Sequence, residues 1–431
     1  MALLLKSARC IDPSVGLDRV TDLLIRDGRI VEVAEGIQLN KGVEIDCTGL
    51  IAVPGLVDLH VHLREPGQEH KEDIASAGRA AAKGGFTAMC AMPNTVPTTD
   101  TGSRVKAVLA RASEVTRTRV HVAGALTAGL KGEALSEMGD MRAHGAVAFT
   151  DDGRGVQDSG MMRRAMDYAK QFGLPVLAHC QDESLSGEGV VNEGAVSTRL
   201  GLAGYPACAE ELHIARDIAL CELTGCALHV QHVSSARGVA LVRAAKDAGL
   251  PVTCEVTPHH LFLCEDDIDD TYPTSLKMSP PLRTREDRDA LQKALLDGAI
   301  DCVATDHAPH APHEKALEFE LAPNGTTGLE TALGLVYTAL VATGRAELAL
   351  LVERMAHAPR RILGLDPVSL AVGSVADLTV IDPALHWTVE ASDFESKARN
   401  SAFVGRQLVG RARHVLVDGY ATLENGKAVP C

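Results

Sequence analysis

Two histidines separated by one residue, His60 and His62, end the strand-like run GLVDLHVHLREPG at positions 55–67. Side chains two apart on a strand share a face, so both imidazoles can reach one ion while Val61 turns away. Arg64 follows two residues on, where LREPG reads as a turn leaving a strand end. Further imidazoles (His179, His232) and carboxylates (Asp151, Asp152, Asp306) close later apolar runs: AVAFTDDG, PVLAHC, LHVQHV and CVATDHAPH. A His-x-His pair arises readily by chance, and a strand-end Asp before Gly is most often a turn residue. Six such residues on five strand ends are hard to assemble that way. Four imidazoles and two carboxylates exceed the needs of one tetrahedral zinc and suit two cations sharing a bridge. A water between two such cations loses its proton near neutral pH, and Asp306 beside it can pass that proton to a leaving nitrogen. The expected chemistry is hydrolysis of an amide-like bond. Ligands of nitrogen and oxygen without thiolate fit zinc best, with cobalt, manganese and iron also compatible.

The elements that must hold these residues follow from hydrophobic periodicity. Short aliphatic runs at 56–62, 86–92, 120–126, 146–150, 175–179, 227–233, 252–256 and 300–305 predict eight strands. Amphipathic segments at 72–82, 104–113, 135–144, 161–172, 207–223, 238–248, 285–296 and 329–343 predict a helix after each. Eight strand–helix units predict an α/β protein with a TIM-like (β/α)8 barrel, whose chemistry sits at the C-terminal ends of its strands. The chain ends read differently. Residues 1–52 and 363–431 show short alternating runs with turn signals, among them Asp27-Gly28 as a hairpin turn. They predict the two parts of one small β-sandwich, flanking a barrel at 53–362.

Composition agrees with this division. At 431 residues the chain suits a large barrel with a minor domain, and only 3% of residues are aromatic, so Ala, Val, Leu and Ile must build the core. A formal charge of −15 argues against nucleic acid or an anionic membrane as partner, though a local cation cluster can still receive an anionic small molecule. The eleven cysteines include no CxxC pair, and Cys90, Cys180, Cys254 and Cys302 lie inside apolar runs. They read as reduced core thiols of a cytoplasmic protein. The N-terminal apolar run is too short for a signal peptide, and no stretch is long enough for a membrane helix.

Among the other histidines, His229 stands at odd spacing from His232 and points to the opposite face of its strand. His70, His144, His213, His357, His386 and His414 fall on helical or flanking segments, while His259 and His260 end the seventh strand, within reach of the site, and are not assigned as ligands.

The motifs HVHLREPG, AMPNT, FTDDG, AHC, QHVSS, PPLRT, and ATDHAPH followed by NGTTGLET resemble the amidohydrolase superfamily, and within it the dihydroorotases of the long bacterial type. The resemblance spans nearly the whole chain. The His-x-His pair and the final Asp identify only the superfamily, whereas LREPG with MPNT and TDHAPH is narrower. It implies interconversion of N-carbamoyl-L-aspartate and L-dihydroorotate in pyrimidine synthesis, with two divalent metal ions, expected to be zinc. It assigns His60 and His62 to one metal, His179 and His232 to the other, Asp152 as the bridge, and Asp306 as ligand and general acid/base. It further implies that His62, Arg64, Asn94, Ser279, His310, Asn324 and Gly325 meet the substrate, with Arg64 and Asn94 on its α-carboxylate. An arginine fork matches a carboxylate, so Arg64 directly after the metal pair makes physical sense. Ser279 stands where the family pattern has Asn, and its shorter hydroxyl cannot give the same amide pair. The resemblance also admits a homodimer and a complex with aspartate carbamoyltransferase.

Hydantoinase, dihydropyrimidinase and allantoinase share such a barrel but usually bridge their metals through a carboxylated lysine on the fourth strand, and AVAFTDDG has no lysine. A metal-free scaffold of aspartate carbamoyltransferase would have lost metal histidines, and here every one is present. Residues 310–328, rich in Gly and Pro after Asp306, are expected to form a mobile lid over the substrate.

Overall fold

The computed structural model describes residues 2–430. Its centre is a sheet of eight parallel strands in chain order: Leu56–Val61, Phe86–Ala91, Arg119–Gly124, Ala146–Phe149, Val176–Ala178, Leu228–Val230, Val252–Val256 and Cys302–Val303. These are the eight runs read from the sequence: the seventh has the same bounds, the third starts one residue earlier and ends two earlier, and the others are one to four residues shorter. The first and eighth strands meet through a parallel bridge between Val61 and His307, with His62 N donating to His307 O at 3.0 Å, so the barrel closes beside the His60–His62 pair. Small side chains fill its interior, including Cys90, Ala123, Ala148, Cys302 and Ala304. Helices cover the outside and pack their apolar faces on the strands.

Helix boundaries follow local chemistry. Asp73 caps the helix Ile74–Gly84 by accepting from Ser76 N, and Gly85, at φ 92°, ends it. Asp158 does the same for Ser159–Lys170 through Met161 N. The helix expected over 329–343 is instead an α-helix at Ala332–Val336 that widens to a π turn at Tyr337–Val341. There Thr338 Oγ1 donates to Gly334 O at 2.6 Å and accepts from Val409 N at 2.8 Å, drawing a backbone carbonyl out of the regular ladder.

The chain ends form one continuous nine-stranded sheet from residues 2–54 and 378–428. Asp27 and Gly28, at φ 49° and 78°, make the predicted tight turn between Leu17–Arg26 and Arg29–Ala34. The sheet wraps a core of its own, built from Leu5, Cys10, Leu23, Ile25, Leu378, Val380 and Leu416. The two layers of the expected sandwich are thus parts of a single hydrogen-bonded sheet. It docks on the barrel through polar ties. Asp12 bonds His357 Nε2 at 3.1 Å and Leu370 N at 2.8 Å, and Arg119 Nε donates to Asp377 Oδ2 at 2.8 Å. The ten described cysteines are free thiols, and no helix among the described residues is long and apolar enough to cross a membrane.

Candidate active site

Strand ends deliver the six expected ligands to one place. His60 Nε2 lies 3.3 Å from Asp152 Oδ1 and 3.5 Å from Asp306 Oδ1. His62 Nε2 lies 3.4 Å from Asp152 Oδ2 and 2.9 Å from Asp306 Oδ1. On the far side of Asp152, His179 Nδ1 is 3.5 Å and His232 Nε2 3.8 Å from Oδ1, and those two nitrogens are 2.8 Å apart. Asp152 therefore sits between the two histidine pairs, while Asp306 faces only the first. Arg64, His232 and Asp306 hold positive φ angles of 62°, 33° and 46°, a strained backbone of the kind that clusters at functional sites.

The electrostatics match this geometry. Burial alone would raise the Asp152 carboxyl, but His60, His179 and His232 outweigh it and hold the group well below the usual carboxylate range. Asp306 is likewise held low against its burial by His60 and His62. Burial pushes His60 down, yet Asp152, Glu255 and Asp306 together keep it well above an ordinary imidazole. Nearly dry carboxylates paired with four imidazoles make a site that calls for positive charge. His60, Asp152 and His232 form one group able to hold a metal ion, and His60, His62 and Asp306 another. The donor set is all nitrogen and oxygen, as zinc and its divalent neighbours prefer.

Beside the ligands opens a cavity of about 290 Å³, lined by His62, Arg64, Asn94, Asp152, His179, His232, Ser279, Asp306, His310, Asn324 and Gly325. Every expected substrate residue is in that lining. His62 Nδ1 donates to Asn94 Oδ1 at 2.9 Å, which fixes the ring with Nε2 toward the carboxylates. Arg64 Nε donates to Pro309 O at 3.2 Å; burial lowers its pKa to about 10, so it remains a cation at neutral pH. Burial, with Arg64 nearby, pushes His310 down to about 3. It is neutral, and its Nε2 donates to Asn324 O at 2.8 Å.

Residues set aside in the sequence also find their places. Asp151 turns away and accepts from Leu126 N and Thr127 N at 2.8 and 3.0 Å, which leaves Asp152 as the acid that meets the histidines. His229, expected on the opposite face, instead shares the Glu255 carboxylate with His60: its Nε2 is 3.1 Å from Glu255 Oε2 and its Nδ1 2.8 Å from Thr253 Oγ1, so it lies inside the barrel without meeting Asp152 or Asp306. His260 is occupied by Thr257 Oγ1 and Pro280 O, away from the cluster.

Sequence reading missed three polar residues around the ligands. Glu255 holds His60, Gln231 Nε2 lies 3.2 Å from His60 Nδ1, and Gln181 Oε1 is 3.2 Å from His179 Nε2. The available signal for Glu255 was an acid inside the otherwise uncharged run VTCEV. Ser279, shorter than the expected Asn, donates from Oγ to Gln181 Oε1 at 3.3 Å, so a glutamine amide occupies this edge of the cavity.

The segment expected to act as a lid is tied down by side chains. Lys277 Nζ donates to Glu320 O and Ala322 O, both at 2.8 Å, and Lys315 Nζ to Pro323 O and Gly325 O at 2.8 and 3.1 Å. Phe319 and Ala322 are buried beneath. In this conformation residues 310–328 form one wall of the cavity, with two lysines and buried apolar anchors satisfying backbone groups that would otherwise turn to water.

Known proteins resemble the chain along its whole length. A family profile described as "Dihydro-orotase-like" matches residues 49–237. The dihydroorotase of Anaeromyxobacter dehalogenans is 49% identical over 428 residues, covering 99% of each chain. That of Geobacter metallireducens is 48% identical over 420 residues, covering 97% of this chain and 99% of its own. Among solved structures, the L-hydantoinase (dihydropyrimidinase) of Arthrobacter aurescens superposes with a TM-score of 0.89 at 27% identity, over 99% of this chain and 97% of that one. The D-hydantoinase of a Thermus species gives 0.86 at 27%, over 100% and 97%. Sequence identity near one half over the full length, on a cyclic-amidase barrel, establishes that the chain belongs to the dihydroorotase family.

Proposed function

We propose that the chain interconverts L-dihydroorotate and N-carbamoyl-L-aspartate, using two divalent cations, expected to be zinc, held by His60, His62, Asp152, His179, His232 and Asp306. The observation behind this reading is the placement of Asp152 between two histidine pairs, with Asp306 opening on the same cavity. The fit to metal rests on the donor set and on charge. Two carboxylates held ionised in a dry site face four imidazole nitrogens, and among the described residues no lysine or arginine pairs with either of them. Bound cations would supply positive charge that polarises the ring amide carbonyl and eases deprotonation of water.

The chain's own residues do the rest. Arg64 presents a guanidinium to the substrate carboxylate, and the neighbouring Asn94 and neutral His310 complete a pocket for that anion. The Asp306 side chain is 13% exposed against 3% for Asp152, so Asp306 is the acid the substrate can reach. Its carboxylate takes a proton from the attacking water and returns it to the leaving ring nitrogen. Asn324 and Gly325, on the pinned wall, face the ring amides. A hydantoinase reading would expect a bridging lysine on the fourth strand; Ala146–Phe149 has none, and Asp152 stands in the bridging position instead.

The test is turnover by metal-replete protein on L-dihydroorotate, dihydrouracil, hydantoin and allantoin side by side. Strong preference for dihydroorotate is expected, and a preference for any of the three lacking its carboxylate would overturn the assignment.

A further inference from the structure

Between the sheet strands Leu378–Thr388 and Gln407–Val417 the chain leaves the terminal sheet and reaches the loops at the barrel mouth. Asn400 lies in this excursion, with only 9% of its surface exposed. Its Oδ1 accepts from His310 N at 3.1 Å. Its Nδ2 donates to Ala308 O at 3.1 Å and to Gly325 O at 3.2 Å. Its backbone carbonyl accepts from Thr326 Oγ1 at 3.0 Å and Thr327 N at 3.2 Å. Ala308, His310 and Gly325 all line the cavity. One side chain thus joins the segment leaving the eighth strand to the segment that returns past Gly325.

The two segments have little slack. Gly325 sits at φ 118°, and a Cβ there would come within 2.5 Å of the Ala308 Cβ. A shift of either segment displaces the other, and with it the His310 imidazole that donates to Asn324 O. Among the described residues, no hydrogen bond joins Asn400 to the six histidines and aspartates of the candidate metal centre.

We propose that Asn400 is a positioning residue for substrate recognition, setting KM by fixing the wall of Ala308, His310 and Gly325 against the ring and carboxylate. This rests on the dihydroorotase reading of the cavity. The excursion from the terminal sheet then contributes to the active site through the Asn400 amide, as well as to stability. A residue of mere packing value would behave differently. Asn400→Asp conserves volume and the acceptor for His310 N, but turns the donor into an oxygen facing two carbonyl oxygens.

The experiment measures kcat and KM in both directions, with metal content, for wild type, Asn400→Ala, Asn400→Asp and Thr326→Val. Asn400→Ala should raise KM for both L-dihydroorotate and N-carbamoyl-L-aspartate about tenfold or more, the size of one or two lost buried hydrogen bonds. Its kcat should stay within about threefold and its metal content unchanged, since binding geometry and not the reacting groups is disturbed. Asn400→Asp should be at least as impaired as Asn400→Ala. Thr326→Val, which removes the hydroxyl that donates to the Asn400 carbonyl and accepts from Ala402 N at 2.9 Å, leaves the Asn400 side chain in place; it should show the same KM-selective change in smaller size and keeps the test available if the Asn400 variants fold poorly. Wild-type KM in Asn400→Asp, or a loss confined to kcat, would overturn the role. A wild-type protein inactive on both compounds would instead sink the dihydroorotase reading itself.

Discussion

Glu255 Oε1 accepts from His60 Nδ1 at 2.5 Å, while Oε2 lies 3.1 Å from His229 Nε2. The same carboxylate accepts from the backbone N of His232 at 3.2 Å, so one buried acid orients ligands of both histidine pairs. Burial opposes its charge, but His60 and His229 bring its pKa down to about 2. The arrangement orients the His60 ring, with Nδ1 on Glu255 and Nε2 turned toward Asp152 and Asp306, as a carboxylate partner would for a histidine holding a cation.

Glu255→Gln keeps the shape and removes the charge. Zinc affinity, measured by chelator competition, should fall about 10- to 100-fold with the fold retained, as for other partners of metal-bound histidines. Unchanged affinity would assign Glu255 to packing alone.

Asp306→Asn should lower turnover by about two orders of magnitude or more, the usual contribution of a positioned acid or base. Circular dichroism should be unaltered. Activity within a few-fold of wild type would move the proton transfer to another group.

Arg64→Met should damage turnover of L-dihydroorotate far more than any residual turnover of dihydrouracil, because only the former has a carboxylate to lose. Equal losses on both substrates would make Arg64 a structural residue that supports the Pro309 carbonyl.

Asp12 ties the terminal sheet to the barrel. Its burial would raise the carboxyl, but His357, Ser14 and the Leu370 amide hold it below the usual range. A depressed carboxylate adds stability that is complete above the unfolded value of about 3.9 and drains as pH falls below it toward the folded value. Asp12→Asn should therefore cost about 1–3 kcal/mol at neutral pH and flatten the acid fall of Tm below about pH 4. Parallel Tm–pH curves for variant and wild type would refute this.

What was legible in the sequence had a local signal. His60-x-His62, the strand-end placement of Asp152, His179, His232 and Asp306, and the turn at Asp27-Gly28 all depend on neighbours within a few residues. Periodicity alone therefore located them. Glu255 was not legible, because its partner His60 is 195 residues away and VTCEV reads as an ordinary buried strand. Asn400 was hidden for the same reason, its bonds to Ala308 and Gly325 spanning 92 and 75 residues. The contacts of the loop at 310–328 were not legible either, because its Gly and Pro content signals only irregular backbone, while the lysine that holds its middle, Lys277, lies outside it.

The most direct measurement strips the metal from the protein and titrates zinc back, following bound zinc and turnover of L-dihydroorotate on the same samples. Activity should be absent without metal and saturate at about two ions per chain, with His179→Ala binding fewer. A stripped protein as active as the loaded one, or zinc binding unaffected by His179→Ala, would contradict the two-cation site.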